Sequence, residues 1–147
     1  ASSSNRLKSL KNDLLESISG LDEGAKGSKE DINNILDIVK QIKEERAVAG
    51  VTTQKNFNGR WKLLWTTEKE TLTFRKSGLF GKKFRAAYQD IDVVEGKLQN
   101  LIQFDDGYFS VESNLSADPE NLNRCNFKFT SAGVKWGNFG PLTLRPF

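Results

Sequence analysis

The sequence contains no histidine, no methionine and a single cysteine, Cys125. Histidine is the commonest general base and the commonest metal ligand. Its absence excludes serine–histidine and cysteine–histidine nucleophile pairs within these 147 residues. With only one thiol as well, zinc and most transition metals have no ligand set. A lone cysteine closes no internal disulfide, which rules out a disulfide-stapled scaffold and favours a reducing compartment. A chain without methionine does not start at its own initiator. Together with the small, hydroxyl-rich opening Ala1-Ser2-Ser3-Ser4, this leads us to expect a trimmed or processed form. No apolar run approaches the roughly 18–20 residues that a membrane-crossing helix needs. The aromatic stretch from Trp61 to Trp65 is interrupted by Lys62. Carboxylate chemistry is the one catalytic route that composition leaves open.

The residues that are present make an ordinary globular composition, 37% hydrophobic and 28% charged, at the size of one domain. Charge is unevenly spread. Residues 51–100 carry ten Lys and Arg against five Asp and Glu, whereas each flanking part is nearly balanced. An acidic partner is therefore expected to meet the middle of the chain.

Leu7, Leu10, Leu14 and Ile18 recur at helical spacing over residues 5–19, and Gly20 reads as the stop. After a short Gly-containing connection, Ser28 and Asp31 have the spacing of a capping box. Ile32, Ile35, Leu36, Val39 and Ile42 then continue a second helix to about Arg46. The two form a helical hairpin over residues 1–50, whose apolar stripes are expected to lie on one end of a sheet. The character changes after Ala49-Gly50. The period shifts towards two, with expected strands at 61–67, 71–75, 84–94, 98–104, 108–115 and 124–131. Asp105-Asp106-Gly107 is a turn between two of them. The fold class is thus α+β, mainly β, in a single domain. A helical hairpin is followed over 51–147 by an antiparallel meander that curls towards a barrel. About eight strands are needed to enclose a small ligand. With only six expected, closure is left open.

Asn58-Gly59-Arg60-Trp61-Lys62-Leu63-Leu64-Trp65-Thr66-Thr67, preceded by a Leu-rich helix pair, resembles the plastid lipid-associated protein family, also called the plastid fibrillins. That family shows a Gly-x-Trp-x-Leu-Leu-[Tyr/Trp]-Thr-Thr stretch at this point. Glu68 to Leu72, Ser77 to Gly81, Ile91-Asp92 with Leu98 to Asn100, and Asn126 to Ser131 extend the resemblance over nearly the whole chain. It implies a lipocalin-like β-barrel and a chloroplast location, peripheral to thylakoids or to the lipid droplets called plastoglobules. It further implies binding of lipid, carotenoid or quinone-type molecules rather than catalysis, with no cofactor. Family members continue past a Pro-Leu-x-Leu-Pro-Phe-like segment into further strands. Here Pro141 to Phe147 is the last stretch, so closing strands that are lost or lacking are the expectation.

Two groups of residues invite functional readings. Trp61, Leu63, Trp65, Phe109, Val111, Phe127 and Phe129 would line an apolar ligand cavity. Equally, they would serve as plain sheet core, since large aromatics dominate cores. Cys125 alternates with Phe127 and Phe129 and reads as a small buried apolar side chain. Arg75, Lys76, Leu79, Phe80, Lys82, Lys83 and Arg85 interleave cations with apolar residues around Gly78 and Gly81. Such a loop suits a membrane surface, with apolar residues at the acyl boundary and cations at the headgroups. It also suits an acidic protein surface, or is a solvated basic hairpin. Nucleic acid ranks last, because no nucleic-acid motif accompanies the charge. Asp90, Asp92, Asp105 and Asp106 are read as sheet and turn residues before acid–base groups or calcium ligands. The expected function is that of a non-catalytic lipid-associated carrier or structural protein. The rival is a bound subunit or assembly partner of a photosystem or antenna complex, with no cargo of its own.

Overall fold

The computed structural model describes residues 2–45, 52 and 55–145. The expected helix end at Arg46, the change of character at Ala49-Gly50 and the final Pro146-Phe147 lie outside the described residues. The chain divides into two compact units. One holds the N-terminal helices together with Leu64–Glu68; the other holds every strand and a third helix.

In the first unit, α1 (Ser2–Ile18) and α2 (Lys29–Glu45) form the expected hairpin. Gly20 takes φ +74°, the left-handed conformation that ends helices and suits glycine. The capping box forms at the start of α2. The Asp31 backbone N–H donates to Ser28 Oγ at 3.1 Å, and the Ser28 N–H donates to Asp31 Oδ2 at 2.8 Å. Leu10, Ile35 and Ile38 are buried between the helices. The stripe predicted on α2 is displaced by this packing: Leu36 and Val39 are exposed, and Ile38, outside that stripe, is buried. Residues Leu64–Glu68 return to this unit, where the Thr66 N–H donates to the Glu23 carbonyl at 2.9 Å. A Cβ at Gly24, which has φ +106°, would stand 2.2 Å from the Thr66 carbonyl oxygen, so only glycine allows that approach.

The Ser28 hydroxyl and N–H hold the Asp31 carboxyl below its ordinary value, by favouring its charged form. A carboxyl depressed by folding stabilises above its unfolded pKa, and that contribution is lost as pH falls. Ser28→Ala is therefore expected to lower the thermal midpoint of the helical signal in circular dichroism near neutral pH. The deficit should shrink as pH drops below about 4.

The second unit is a six-stranded antiparallel meander in sequence order: β1 (Gly59–Lys62), β2 (Phe84–Asp92), β3 (Lys97–Phe104), β4 (Gly107–Ala117), β5 (Cys125–Trp136) and β6 (Phe139–Leu144). The sheet is open, with β1 and β6 at its edges. Six strands agree with the expected number, but they are not the same six. The segment 71–75, expected as a strand, lies inside α3 (Lys69–Ser77). Its β-formers alternate, yet Thr71 and Phe74 also share a helical face. Phe74 packs edge-on against Phe104 at 5.8 Å and beside Phe109 at 5.4 Å. Glu70 in the first turn and Arg75 and Lys76 in the last favour the helix dipole. Gly78, at φ +67°, ends the helix by donating to the Phe74 carbonyl. Tertiary burial of one aromatic thus outweighs local β-propensity.

The last two strands also differ from expectation. The strand expected over 124–131 runs on to Trp136, through Gly133. A Cβ at Gly133 would sit 2.8 Å from Ser110 Oγ on the paired strand, so this glycine serves close packing and does not break the strand. A Gly137-Asn138 turn then reverses the chain into β6. The expected β1 is shorter than 61–67. It ends at Lys62, followed by one more ladder bond from the Leu63 N–H to the Ala87 carbonyl. The core joins Phe84, Ala87, Ile102 and Phe104 beneath Leu63, Phe74, Leu79 and Phe109.

Candidate functional site: an apolar sheet face and a basic, aromatic end

Antiparallel pairing places side chains of paired residues on one face of a sheet. Following the register from Trp61 gives Gln89, Asn100, Val111, Ala132 and Leu144 across all six strands. The neighbouring row runs Ala87, Ile102, Phe109, Val134 and Leu142. Ile91, Leu98, Ser113 and Phe129 make a third, and Leu115 with Phe127 a fourth. Six of the seven residues expected to line a cavity therefore share this face. Trp65 does not. It belongs to the helical unit, where its indole Nε1 is buried without an acceptor among the described residues.

α3 covers one end of the face through Phe74, over Ile102, Phe104 and Phe109. Away from that end the face is covered in part: Ile91, Leu98 and Ser113 are buried, while other residues of it are exposed. Trp61 is 51% exposed, Phe127 70% and Phe129 42%, with Leu142 and Leu144 also exposed. Trp61 is nevertheless fixed, because its indole N–H donates to the Phe57 carbonyl at 3.0 Å. Cys125, expected to be buried, is half-buried at the start of β5, opposite Ala117. One polar pair interrupts the face: Gln89 Nε2 donates to Asn100 Oδ1 at 2.9 Å.

The opposite face is polar and holds the recesses. A depression of about 470 Å³ is lined by Asp90, Asp92, Lys97, Gln99, Glu112 and Thr130, with Gly59, Ile91, Leu98 and Ser113 of the intervening row. A second, of about 330 Å³, is lined by Arg60, Leu101, Gln103, Tyr108 and Lys135 with the Asp106-Gly107 turn. Arg60 of β1 and Lys135 of β5 meet in that second recess although three strands lie between them. None of the seven residues expected in a cavity lines either depression. The side chains here are largely engaged with one another. Arg60 grips Asp90 through two hydrogen bonds of 2.7 Å, which lowers the Asp90 carboxyl and raises the Arg60 guanidinium from their ordinary values. Glu112 accepts from Ser131 Oγ at 3.1 Å and from Gln99. Asp92 Oδ1 accepts from the Val94 and Glu95 N–H groups, closing the β2–β3 turn.

The basic segment expected at a surface gathers at one end of the sheet. Arg75 lies over the Phe84 ring at 5.4 Å. Arg85 bonds Asp105, and Lys82 Nζ stands 3.6 Å from Asp106. Lys76 and Lys83 are exposed. Leu79, expected at the loop tip, instead packs into the core. Phe80 alone projects, 64% exposed, and its ring lies 4.4 Å from that of Trp136, which stacks on Phe139 at 4.2 Å. Trp136 and Phe139 escaped the sequence reading. The available signal was the Gly137-Asn138 pair between two aromatics, a hairpin turn in its own right.

The PAP_fibrillin family model matches residues 8–140, from α1 into β6. The chain belongs to the PAP_fibrillin family. A further relative is "Probable plastid-lipid-associated protein 11, chloroplastic" of Arabidopsis thaliana. The two are 38% identical over 148 residues, spanning 97% of this chain and 68% of the relative. No solved structure matches the chain significantly. Membership in the PAP_fibrillin family rests on both compact units, since the matched span includes the helical hairpin as well as all but the last part of the sheet.

Proposed function

We propose that this PAP_fibrillin chain is a non-catalytic plastid protein, peripheral to thylakoid or plastoglobule lipid. It carries an apolar molecule of the lipid, carotenoid or prenyl-quinone class on the exposed part of the apolar face of its sheet. The observation that supports this most is that the exposed side chains Trp61, Phe127, Phe129, Leu142 and Leu144 all fall on one face of the sheet. Apolar side chains that are aligned and left open to water mark an interaction surface. The relative's name, with its plastid lipid association and chloroplast location, supports the same reading. The non-catalytic part is supported by the carboxylates, since Asp90, Asp92 and Asp105 are committed to ion pairs and turns.

Extraction of the purified protein with organic solvent, followed by lipid and pigment analysis, is expected to release an apolar compound. Phe127→Ala should weaken rebinding of that compound roughly ten- to a hundredfold, the scale of one buried aromatic side chain. An empty extract, together with no binding of added apolar molecules, would sink the carrier reading. One observation favours a second reading, the bound subunit of a pigment–protein complex. All of β6, Phe139–Leu144, is an exposed edge strand, and such an edge accepts a strand from a partner. Co-migration of the protein with a chlorophyll-containing complex on a native gel, without extractable cargo, is the result that reading expects.

A further inference from the structure

We propose that the end of the sheet where the Leu79–Lys82 hairpin meets the β5–β6 turn is a membrane-inserting tip for an anionic lipid surface. Phe80, Trp136 and Phe139 enter the boundary between headgroups and acyl chains, and Lys82, Lys83 and Lys135 face the headgroups. The inference rests on the lipid-associated reading above and adds to it which end of the molecule meets the lipid.

Three observations carry it. First, the rings form a stack of their own. Phe80 lies 4.4 Å from Trp136, and Trp136 lies 4.2 Å from Phe139. None of the three belongs to the core around Phe84 and Phe104. Phe80 is 64% exposed and Phe139 49%. Phe80 and Phe139 therefore spend their apolar area outside the fold's interior, against a half-buried Trp136.

Second, the backbone goes out of its way to present Phe80. Leu79 and Lys82 exchange two hydrogen bonds, of 3.0 and 2.9 Å, around the two-residue loop Phe80-Gly81. Both loop residues have positive φ, +49° and +77°. That is the hairpin geometry that asparagine and glycine prefer at the first position, and a bulky aromatic there is an outlier. An exposed ring held against backbone preference points to a use for the ring.

Third, the charge around the stack is complementary to an anionic surface. Lys82, Lys83, Arg85 and Lys135 surround this end. The carboxylates that share it, Asp105 and Asp106, are met by Arg85 and Lys82. Aromatic rings at a projecting turn, ringed by excess cations, match the requirements of interfacial insertion. Two of the three rings are phenylalanines, which have no polar handle. That composition favours hydrocarbon over the wet rim of a protein contact.

The test uses the intact protein with vesicles of phosphatidylcholine, with and without phosphatidylglycerol, and with brominated acyl chains to quench tryptophan at the acyl boundary. Binding is expected to require phosphatidylglycerol and to weaken as salt rises. Lys82→Glu with Lys83→Glu should abolish it. Phe80→Asn fits the turn better than phenylalanine does, so its thermal midpoint should not fall for backbone reasons. It should nevertheless lower vesicle partitioning by roughly tenfold. Trp136→Phe should keep binding while removing most of the bromine quenching.

Quenching that survives Trp136→Phe and disappears in Trp61→Phe would put another face at the lipid and overturn the tip. So would a Phe80→Asn protein that partitions like the parent. Vesicle binding that charge reversal abolishes and Phe80→Asn leaves unchanged would be purely electrostatic, of the kind an acidic protein surface makes, and would also overturn insertion. A protein that yields lipid on extraction but binds no vesicle refutes the tip and leaves the carrier reading standing. Vesicle binding through Trp136 with no extractable cargo sustains the tip and refutes the carrier.

Discussion

Truncation of Phe104 to alanine is expected to cost about 3–5 kcal/mol, the usual range for deleting a buried aromatic. Phe104 is 4% exposed and sits where three elements meet. β3 supplies it, α3 packs Phe74 edge-on against it, and Phe84 of β2 is its partner in the register. The hole would open between α3 and the sheet, and a nine-residue helix has little stability without such an anchor. Urea unfolding followed by tryptophan fluorescence is the measurement. A domain holds only about 5–15 kcal/mol in total, so the variant should unfold at much lower urea or fail to fold. A loss under about 1 kcal/mol would mean that the site collapses around the smaller side chain and that Phe104 is not the keystone of this core.

Gly107→Ala is the second large effect expected, and its cause is crowding. A Cβ at Gly107 would fall 2.1 Å from the Lys135 carbonyl oxygen and 2.8 Å from the Trp136 Cα. Both are backbone atoms of the paired strand, which cannot step aside as a flexible side chain would. Forcing β4 and β5 apart at this point should cost about 3 kcal/mol or more, at the upper end of overpacking effects. The position also ties stability to the aromatic stack, because Gly107 is the register partner of Trp136. The indole should therefore shift as the strands separate, altering Trp136 emission even where the variant still folds. Gly20→Ala is the comparison: that glycine has positive φ, but nothing lies within 4 Å of the added Cβ. It should lose only the roughly 1 kcal/mol of a non-glycine in the left-handed region. Gly107 itself has no positive φ, so a loss no larger than that at Gly20 would mean that the two strands yield to the added Cβ.

The two expectations concern the same frame. Phe104 and Gly107 flank the Asp105-Asp106 turn, and that turn holds Arg85, Lys82 and the Gly137 N–H, which donates to the Asp106 carbonyl at 2.7 Å. The turn read from sequence as a mere reversal is the bracket that brings the Phe80 loop and the β5–β6 turn to one end of the sheet.

The residues alone determined whatever depends on neighbours a few positions away. Ser28 and Asp31 announce a helix start because a cap needs only its own first turn. Asp105-Asp106-Gly107 announces a reversal because few residues tolerate its backbone. The period-two alternation put Trp61, Leu63, Phe109, Val111, Phe127 and Phe129 into one apolar set, and the register keeps them on one face. The stretch around Gly59 to Thr67 carried the family, which the match over residues 8–140 establishes.

Tertiary structure alone decided the rest. Segment 71–75 has the composition of a strand and becomes a helix, because burying Phe74 on Phe104 and Phe109 is worth more than local preference. Trp65, two residues beyond Leu63, leaves the sheet for the helical unit, because β1 stops at Lys62 and Thr66 bonds Glu23. Phe127 and Phe129 are exposed while Ile91 and Leu98 on the same face are buried, because alternation assigns a face but only packing decides which part of it is covered. Phe80 and Trp136 are far apart along the chain. Only the pairing of the sheet, strand by strand, sets one ring upon the other.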